Sequence, residues 1–230
     1  MSRWAKTIIV CAVVFTAGVA GVVSAGPGEN QGQALALAGI HWARGHQPPH
    51  VHGASPLLLY HGGPVMQGTF VQPIVWGTRW SDPTFIQDKL TGLENFYMGI
   101  GGSSYGKTND EYTDGSGVHA SSAVTFGGIV TDLSAAPTSG SSALPILAEV
   151  CAVIGTSAVP NGFYPVYVDT PRGHAKFCAW HSVGTCPTGT TVQFAFFFNL
   201  DGDSGCDPED TSGLHSQGMA ALAKIGRAHV

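Results

Sequence analysis

The chain has 230 residues, 43% of them hydrophobic and only 11% charged, with 32 glycines and a formal net charge of −5. Ordinary soluble proteins carry about 25% charged residues, so electrostatic steering is weak here. A net-acidic chain also excludes nucleic acid as a partner, because phosphate binding needs a basic face.

The first elements in chain order belong to export. Arg3 and Lys6 form a short positive region, residues 7–20 are an apolar run, and Val23-Ser24-Ala25 is a small-x-small cleavage site before Gly26. This is the layout of a secretory signal peptide. The run is short for a membrane span of ~20 residues, which disfavours an uncleaved anchor, and nothing later is long and apolar enough to span. Cleavage leaves one domain of ordinary size, without membrane attachment. Loss of Arg3 and Lys6 takes the net charge from −5 to −7. Residues 26–55 read as a Gly-, His- and Pro-rich leader or linker, with a weak apolar patch at 34–40. His46, His50 and His52 lie close enough to suggest a metal. Pro48 and Pro49 forbid the helical geometry that would align His46 with His50, so a histidine-bearing linker is the preferred reading.

The folded part is expected from residue 56. Residues 57–60 read as a strand and 61–64 as a turn. "FVQPIVWG" is a second strand, and Pro73 within it favours an edge or a bulge. Asp82 can cap a helix with Pro83 in its first turn, and Phe85, Ile86, Leu90, Leu93 and Tyr97 mark one face of a helix over 82–98. A polar loop follows, then a strand "AVTFGGIV" and a helix over 142–154 with Pro145 in its first turn. "GFYPVYVDTP", "AKFCAWHS" and "TVQFAFFFNL" are three more strands. The last is almost wholly apolar and is expected to be central in its sheet. An acidic loop, "DGDSGCDPEDTSG", leads to a final helix, "GLHSQGMAALA".

Cys11 falls in the leader; Cys151, Cys178, Cys186 and Cys206 remain. An even number in an oxidising compartment implies two disulfides with three possible pairings. Cys178 with Cys186, flanking a short loop, is the pair easiest to imagine, leaving Cys151 with Cys206. Gly102-Ser103-Ser104-Tyr105-Gly106 matches the nucleophile-elbow pattern, but a helix precedes it and a polar loop follows, so it reads as a loop. Asp201, Asp203 and Asp207, with Glu209 and Asp210, offer oxygen ligands suited to calcium. The spacing is not that of an EF-hand, because Gly205 stands where an oxygen ligand is needed; a solvated loop pinned by Cys206 is the preferred alternative. His181 could serve as a catalytic base or ligand, or could bind a backbone carbonyl beside the disulfide; both readings stand. His215 has Met219 at i+4, hence no second ligand there. No histidine is followed by Glu, so the chain holds no complete His-Glu-x-x-His zinc site.

The stretches "YHGGPVM", "PIVWGTRW", "GGSSYGKTNDEYTD", "YPVYVDT", "FCAWHS", "FAFFFNLDGDSGCDP" and "HSQGMAAL" together resemble the EXORDIUM / phosphate-induced protein 1 family, in particular its bacterial secreted members. The likeness covers residues 57–223, and YHGGPVM and Cys-x-Trp-His-Ser are its specific parts. It implies an extracellular protein with no established catalytic activity, meeting an extracellular ligand or cell-wall component. In bacterial relatives the helix that begins like "HSQGMAALA" resembles a zincin helix as it continues. That implies an alternative: a zinc-dependent hydrolase whose catalytic helix is missing from this sequence, so that this chain is inactive. Its closing "KIGRAHV" resembles a translated sequencing adapter, so residues 224–230 are expected to be non-native. The expected architecture is a single α/β or α+β domain, zincin-like under that alternative, with a mixed sheet holding residues 71–76, 163–169 and 192–200 against helices 82–98 and 142–154.

Overall fold

The structure, a computed structural model, describes residues 35–49, 60, 65–159 and 162–206. Its elements are β1 (Ala38–Trp42), β2 (Thr69–Val71), β3 (Ile74–Trp76), α1 (Pro83–Ile86), α2 (Lys89–Ile100), β4 (Val124–Phe126), β5 (Val130–Asp132), α3 (Ala143–Ile154), β6 (Gly162–Pro171), β7 (Phe177–Thr185) and β8 (Thr191–Asn199). All belong to one compact unit. Several expectations lie outside the described residues: signal cleavage, His50 and His52, the strand proposed before Tyr60, Asp207, Glu209, Asp210, His215, the final helix and the tail.

Eight strands form one mixed sheet in the order β1-β7-β8-β6-β2-β4, with β3 and β5 continuing the lines of β2 and β4. β8 runs parallel to β6 and antiparallel to β7. The fold is α+β, and β8 is central as its unbroken apolar sequence demands: Phe194, Ala195, Phe196, Phe197 and Phe198 are all buried. Alternation divides them between two faces. Phe197 stacks on Tyr167 at 4.6 Å, and the Tyr167 hydroxyl meets that of Tyr97 from α2 at 2.7 Å. Burial, then the neighbouring Tyr97, pushes the Tyr167 phenol well above its usual range. Phe196 stacks on Trp180, whose indole Nε1–H donates to the Gly140 carbonyl just before α3 at 2.6 Å. Thus α2 covers one face and α3 the other.

"FVQPIVWG" is an interior strand line, broken rather than bulged at an edge. β2 pairs with β6 as far as Val71–Phe163, and pairing resumes at Ile74–Val166. Gln72-Pro73 therefore stands opposite Tyr164-Pro165. A proline cannot donate to a ladder, and the gap places two prolines where pairing is already interrupted. "AVTFGGIV" is broken likewise: Gly127 lies against the Phe70 ring, only 2.2 Å from where a Cβ would stand, and Gly128 takes φ 84°. The helix expected over 82–98 is two pieces. Asp82 caps as anticipated, accepting from Thr84 N–H at 2.8 Å, but Gln87 turns to φ 45° and separates α1 from α2.

The leader reading needs correcting at residues 38–42. β1 is an edge strand pairing antiparallel with β7, and Ser182 Oγ donates to the Ala36 carbonyl at 2.8 Å. The strand is made by a neighbour that supplies partners, not by its own hydrophobic alternation, which Gly39 interrupts. His46 lies exposed just beyond it.

Candidate functional site: the polar edge of the sheet

The parallel strands β3, β6 and β8 end at the same edge of the sheet, where open α/β sheets commonly gather polar side chains. After β3, Gly77 takes φ 134°, and a Cβ there would stand 2.1 Å from the Asp169 carboxyl carbon at the end of β6. Asp169 Oδ2 accepts the Arg79 backbone N–H at 2.9 Å. The Arg79 guanidinium sits 4.2 Å from the Phe85 ring centroid and Lys89 Nζ sits 4.4 Å from it. Lys89 is 1% exposed; it donates to the Phe85 carbonyl and forms an ion pair with Asp201 at 2.8 Å. Trp80 packs edge-on to Phe85 at 5.0 Å, and its buried indole N–H has no acceptor among the described residues. The cluster is a cation–aromatic–carboxylate lock that fastens the end of β8 to the start of α2.

The two described aspartates suggested as metal ligands are turned to cations of the protein. Asp201 meets Lys89, and Asp203 accepts from Arg172 Nε at 2.6 Å and Nη2 at 3.0 Å, a bidentate pair. Arg172 also donates to the Ala175 carbonyl, and Gly205 N–H donates to Asp203 Oδ1 at 2.9 Å. Asp203 thereby ties the turn after β8 to the turn after β6. Among the described residues no group of three or more His, Cys, Asp or Glu is placed to hold a metal. The serine pattern at 102–106 is a loop, as read from its context: Ser103 Oγ donates to the Ile100 carbonyl at 2.7 Å, and Ser104 is exposed.

The cysteines pair otherwise than the short loop suggested. Cys151 joins Cys186 and Cys178 joins Cys206. Cys178 lies within β7 and Cys186 just past its end, eight positions apart along an extended strand, or about 26 Å at ~3.3 Å per residue. That reach defeats the expected Cys178–Cys186 link; Cys186 is bonded instead to α3, and Cys178 to the turn after β8.

His181 lies in the middle of β7, opposite Ala38 of β1 and Ala195 of β8. Its ring lies on Gly39: a Cβ there, at φ 49°, would stand 2.0 Å from His181 Nε2. His41, on the same edge strand, has its imidazole pushed below the usual range by burial. No protein-family model, curated protein or solved structure matches the chain. The site must therefore be read from its own geometry.

One acidic pair went unread in the sequence. Glu149 on α3 faces Asp132 at the end of β5. Burial first, and then Asp132, raises the Glu149 carboxyl from 4.5 to about 7. Glu149 Oε1 is buried without a donor among the described residues, whereas Asp132 Oδ1 accepts the Ser134 N–H at 2.6 Å and the Asp132 carboxyl is held below its usual value chiefly by Ser134. A lone Glu in an apolar helix reads as solvated, so only the packing of α3 reveals the pair. The sign follows from linkage. Glu149 binds its proton more tightly folded than unfolded, so its contribution is full below about pH 4.5 and is lost as pH rises to about 7. Asp132 acts oppositely, its contribution disappearing as pH falls through its depressed folded value. Replacing Glu149 by Gln is expected to flatten the decline between pH 4.5 and 7 and to stabilise the protein at pH 8 by about 1 kcal/mol, a figure already reduced for solvent screening. Thermal melting across pH 4–8 tests this, and an unchanged profile counts against the pair.

Proposed function

We propose that the chain is an exported protein of the EXORDIUM / phosphate-induced protein 1 type, with a non-catalytic role at the cell surface or wall. The observation that carries this reading is the use of the Cys-x-Trp-His-Ser stretch, the most specific part of the resemblance. Cys178 bonds Cys206, Trp180 donates to the Gly140 carbonyl, His181 lies on Gly39, and Ser182 donates to the Ala36 carbonyl. A group used in catalysis presents its reactive atom to a substrate. These side chains instead join β7 to β1, to the approach of α3 and to the turn after β8, so the motif reads as architecture. Two disulfides also fit an oxidising, extracellular setting.

The purified chain should sediment with insoluble bacterial or plant cell-wall preparations and carry no stoichiometric zinc after dialysis. Failure to sediment with either overturns the wall-binding role. One tightly held equivalent of zinc together with hydrolytic turnover overturns the non-catalytic reading in favour of a zincin-like hydrolase.

A further inference from the structure

Residues 101–123 join α2 to β4 without a strand of their own. Loops of this length in a compact domain are commonly functional or disordered, and this one is held in shape by its own polar groups. Asp110 accepts the Ser122 N–H at 2.6 Å and the Ser122 hydroxyl at 3.0 Å, while its carbonyl meets His119 Nδ1 at 2.8 Å. Asp114 Oδ1 accepts from the Ser116 N–H, the Ser116 hydroxyl and the Val118 N–H, each at 2.8 Å. Thr113 bridges to His119. Gly102 N–H donates to the Ser122 carbonyl at 3.1 Å and Ser121 N–H to that of Met66 at 3.0 Å, which fastens both ends.

On this frame stand tyrosines whose side chains are partly exposed. Tyr105 is 45% exposed, Tyr112 44%, and Tyr60, whose ring lies on Gly115, 47%. Thr108 N–H donates to the Tyr105 carbonyl and Tyr112 N–H to that of Asn109. The two tyrosines therefore occupy successive turns, roughly 10–14 Å apart at helical rises. Gly115, which carries Tyr60, lies three residues beyond Tyr112, within ~10 Å by chain reach. Within 101–123 the exposed large hydrophobic side chains are tyrosines alone. Around them the sequence supplies Ser, Thr and Asn, and its three acids, Asp110, Glu111 and Asp114, outnumber Lys107.

We propose that Tyr60, Tyr105 and Tyr112 form a platform that binds a strand of neutral polysaccharide. The inference deepens the wall-binding reading above and rests on it. A pyranose ring offers a flat C–H face and a rim of hydroxyls. A tyrosine ring offers a matching apolar face and a polar tip, and the neighbouring hydroxyl, amide and carboxylate groups can bond the rim. Because the loop is already ordered, little entropy is lost on binding, and Tyr adds contact area with few torsions to freeze. The excess of acids repels anionic polymers, including single-stranded nucleic acid, which seeks a basic groove. The lack of exposed large aliphatic side chains on the loop disfavours a protein partner, whose contact core would be more apolar.

The test is native affinity electrophoresis of the chain in gels containing hydroxyethylcellulose, galactomannan or dextran, with polygalacturonate as the acidic control. Retardation is expected in at least one neutral gel and not in polygalacturonate. Tyr105→Ala with Tyr112→Ala should weaken it about tenfold, and the matching Phe pair should leave it within about threefold, since the ring face carries the contact. Tyr60→Ala, in a residue outside the loop whose ring lies on Gly115, gives a second reading if the double variant fails to fold. No retardation in any neutral gel, retardation in polygalacturonate alone, or equal retardation of folded alanine variants overturns the platform. Wall sedimentation that survives replacement of all three tyrosines overturns the platform alone, whereas no sedimentation of the parent chain overturns the wall-binding reading.

Discussion

Asp201→Asn is expected to destabilise the protein by about 3 kcal/mol, the low end of what breaking a buried ion pair costs. The reason is the position of the partner. Lys89 is 1% exposed, and its ammonium has Asp201 at 2.8 Å as its anion, beside the Phe85 carbonyl and ring. Asparagine keeps the shape and removes the charge, so a desolvated cation is left with neutral partners. The two sides of the pair are unequal: the Asp201 side chain keeps 25% exposure and can be hydrated when its partner goes. Lys89→Met should therefore cost less than Asp201→Asn, although it deletes the same ion pair. Urea denaturation of both variants measures this as a shift in midpoint at constant slope. A larger loss in Lys89→Met than in Asp201→Asn would show that the methylene packing of Lys89, not the stranded charge, governs this site.

Removing a disulfide should have an effect of similar size. Cys151–Cys186 closes a separation of 35 residues and Cys178–Cys206 one of 28, for which loop-closure entropy gives roughly 3.5–4 kcal/mol each. Global stabilities lie near 5–15 kcal/mol, so loss of both would remove much of the total. Cys178→Ser with Cys206→Ser should lower Tm by about 10 °C, taking ~2–4 °C per kcal/mol for a chain of this size. The bond holds the turn after β8 against β7, and the bidentate Arg172–Asp203 pair fastens the same turn. The two should reinforce one another, so that Arg172→Ala costs more in the Cys178→Ser, Cys206→Ser variant. Non-reducing peptide mapping checks the connectivity directly: a fragment containing Cys151 should be recovered joined to one containing Cys186. An unchanged Tm in the double serine variant would refute the assigned role of the bond.

Much of the architecture was legible in residue order, because the signals were local. The apolar run Phe194, Ala195, Phe196, Phe197 and Phe198 could only be buried on both faces, and it lies at the centre of the sheet. Asp82-Pro83 marked a helix start by hydrogen-bonding chemistry that acts within two residues, and the cap forms as expected. The four cysteines that follow the N-terminal apolar run announced two disulfides, and low charge with high apolar content announced a folded domain. Tertiary structure alone decided the rest, since each remaining feature depends on a partner far along the chain. β1 exists because β7 supplies its ladder. The disulfides follow the packing of β7 against α3 and against the turn after β8, not sequence spacing. Glu149 meets Asp132, and Asp201 meets Lys89, only once α3 and α2 have docked on opposite faces of the sheet. Local hydrogen bonding and hydrophobic period are written in neighbouring residues. Which charge meets which is settled only when packing brings distant segments together.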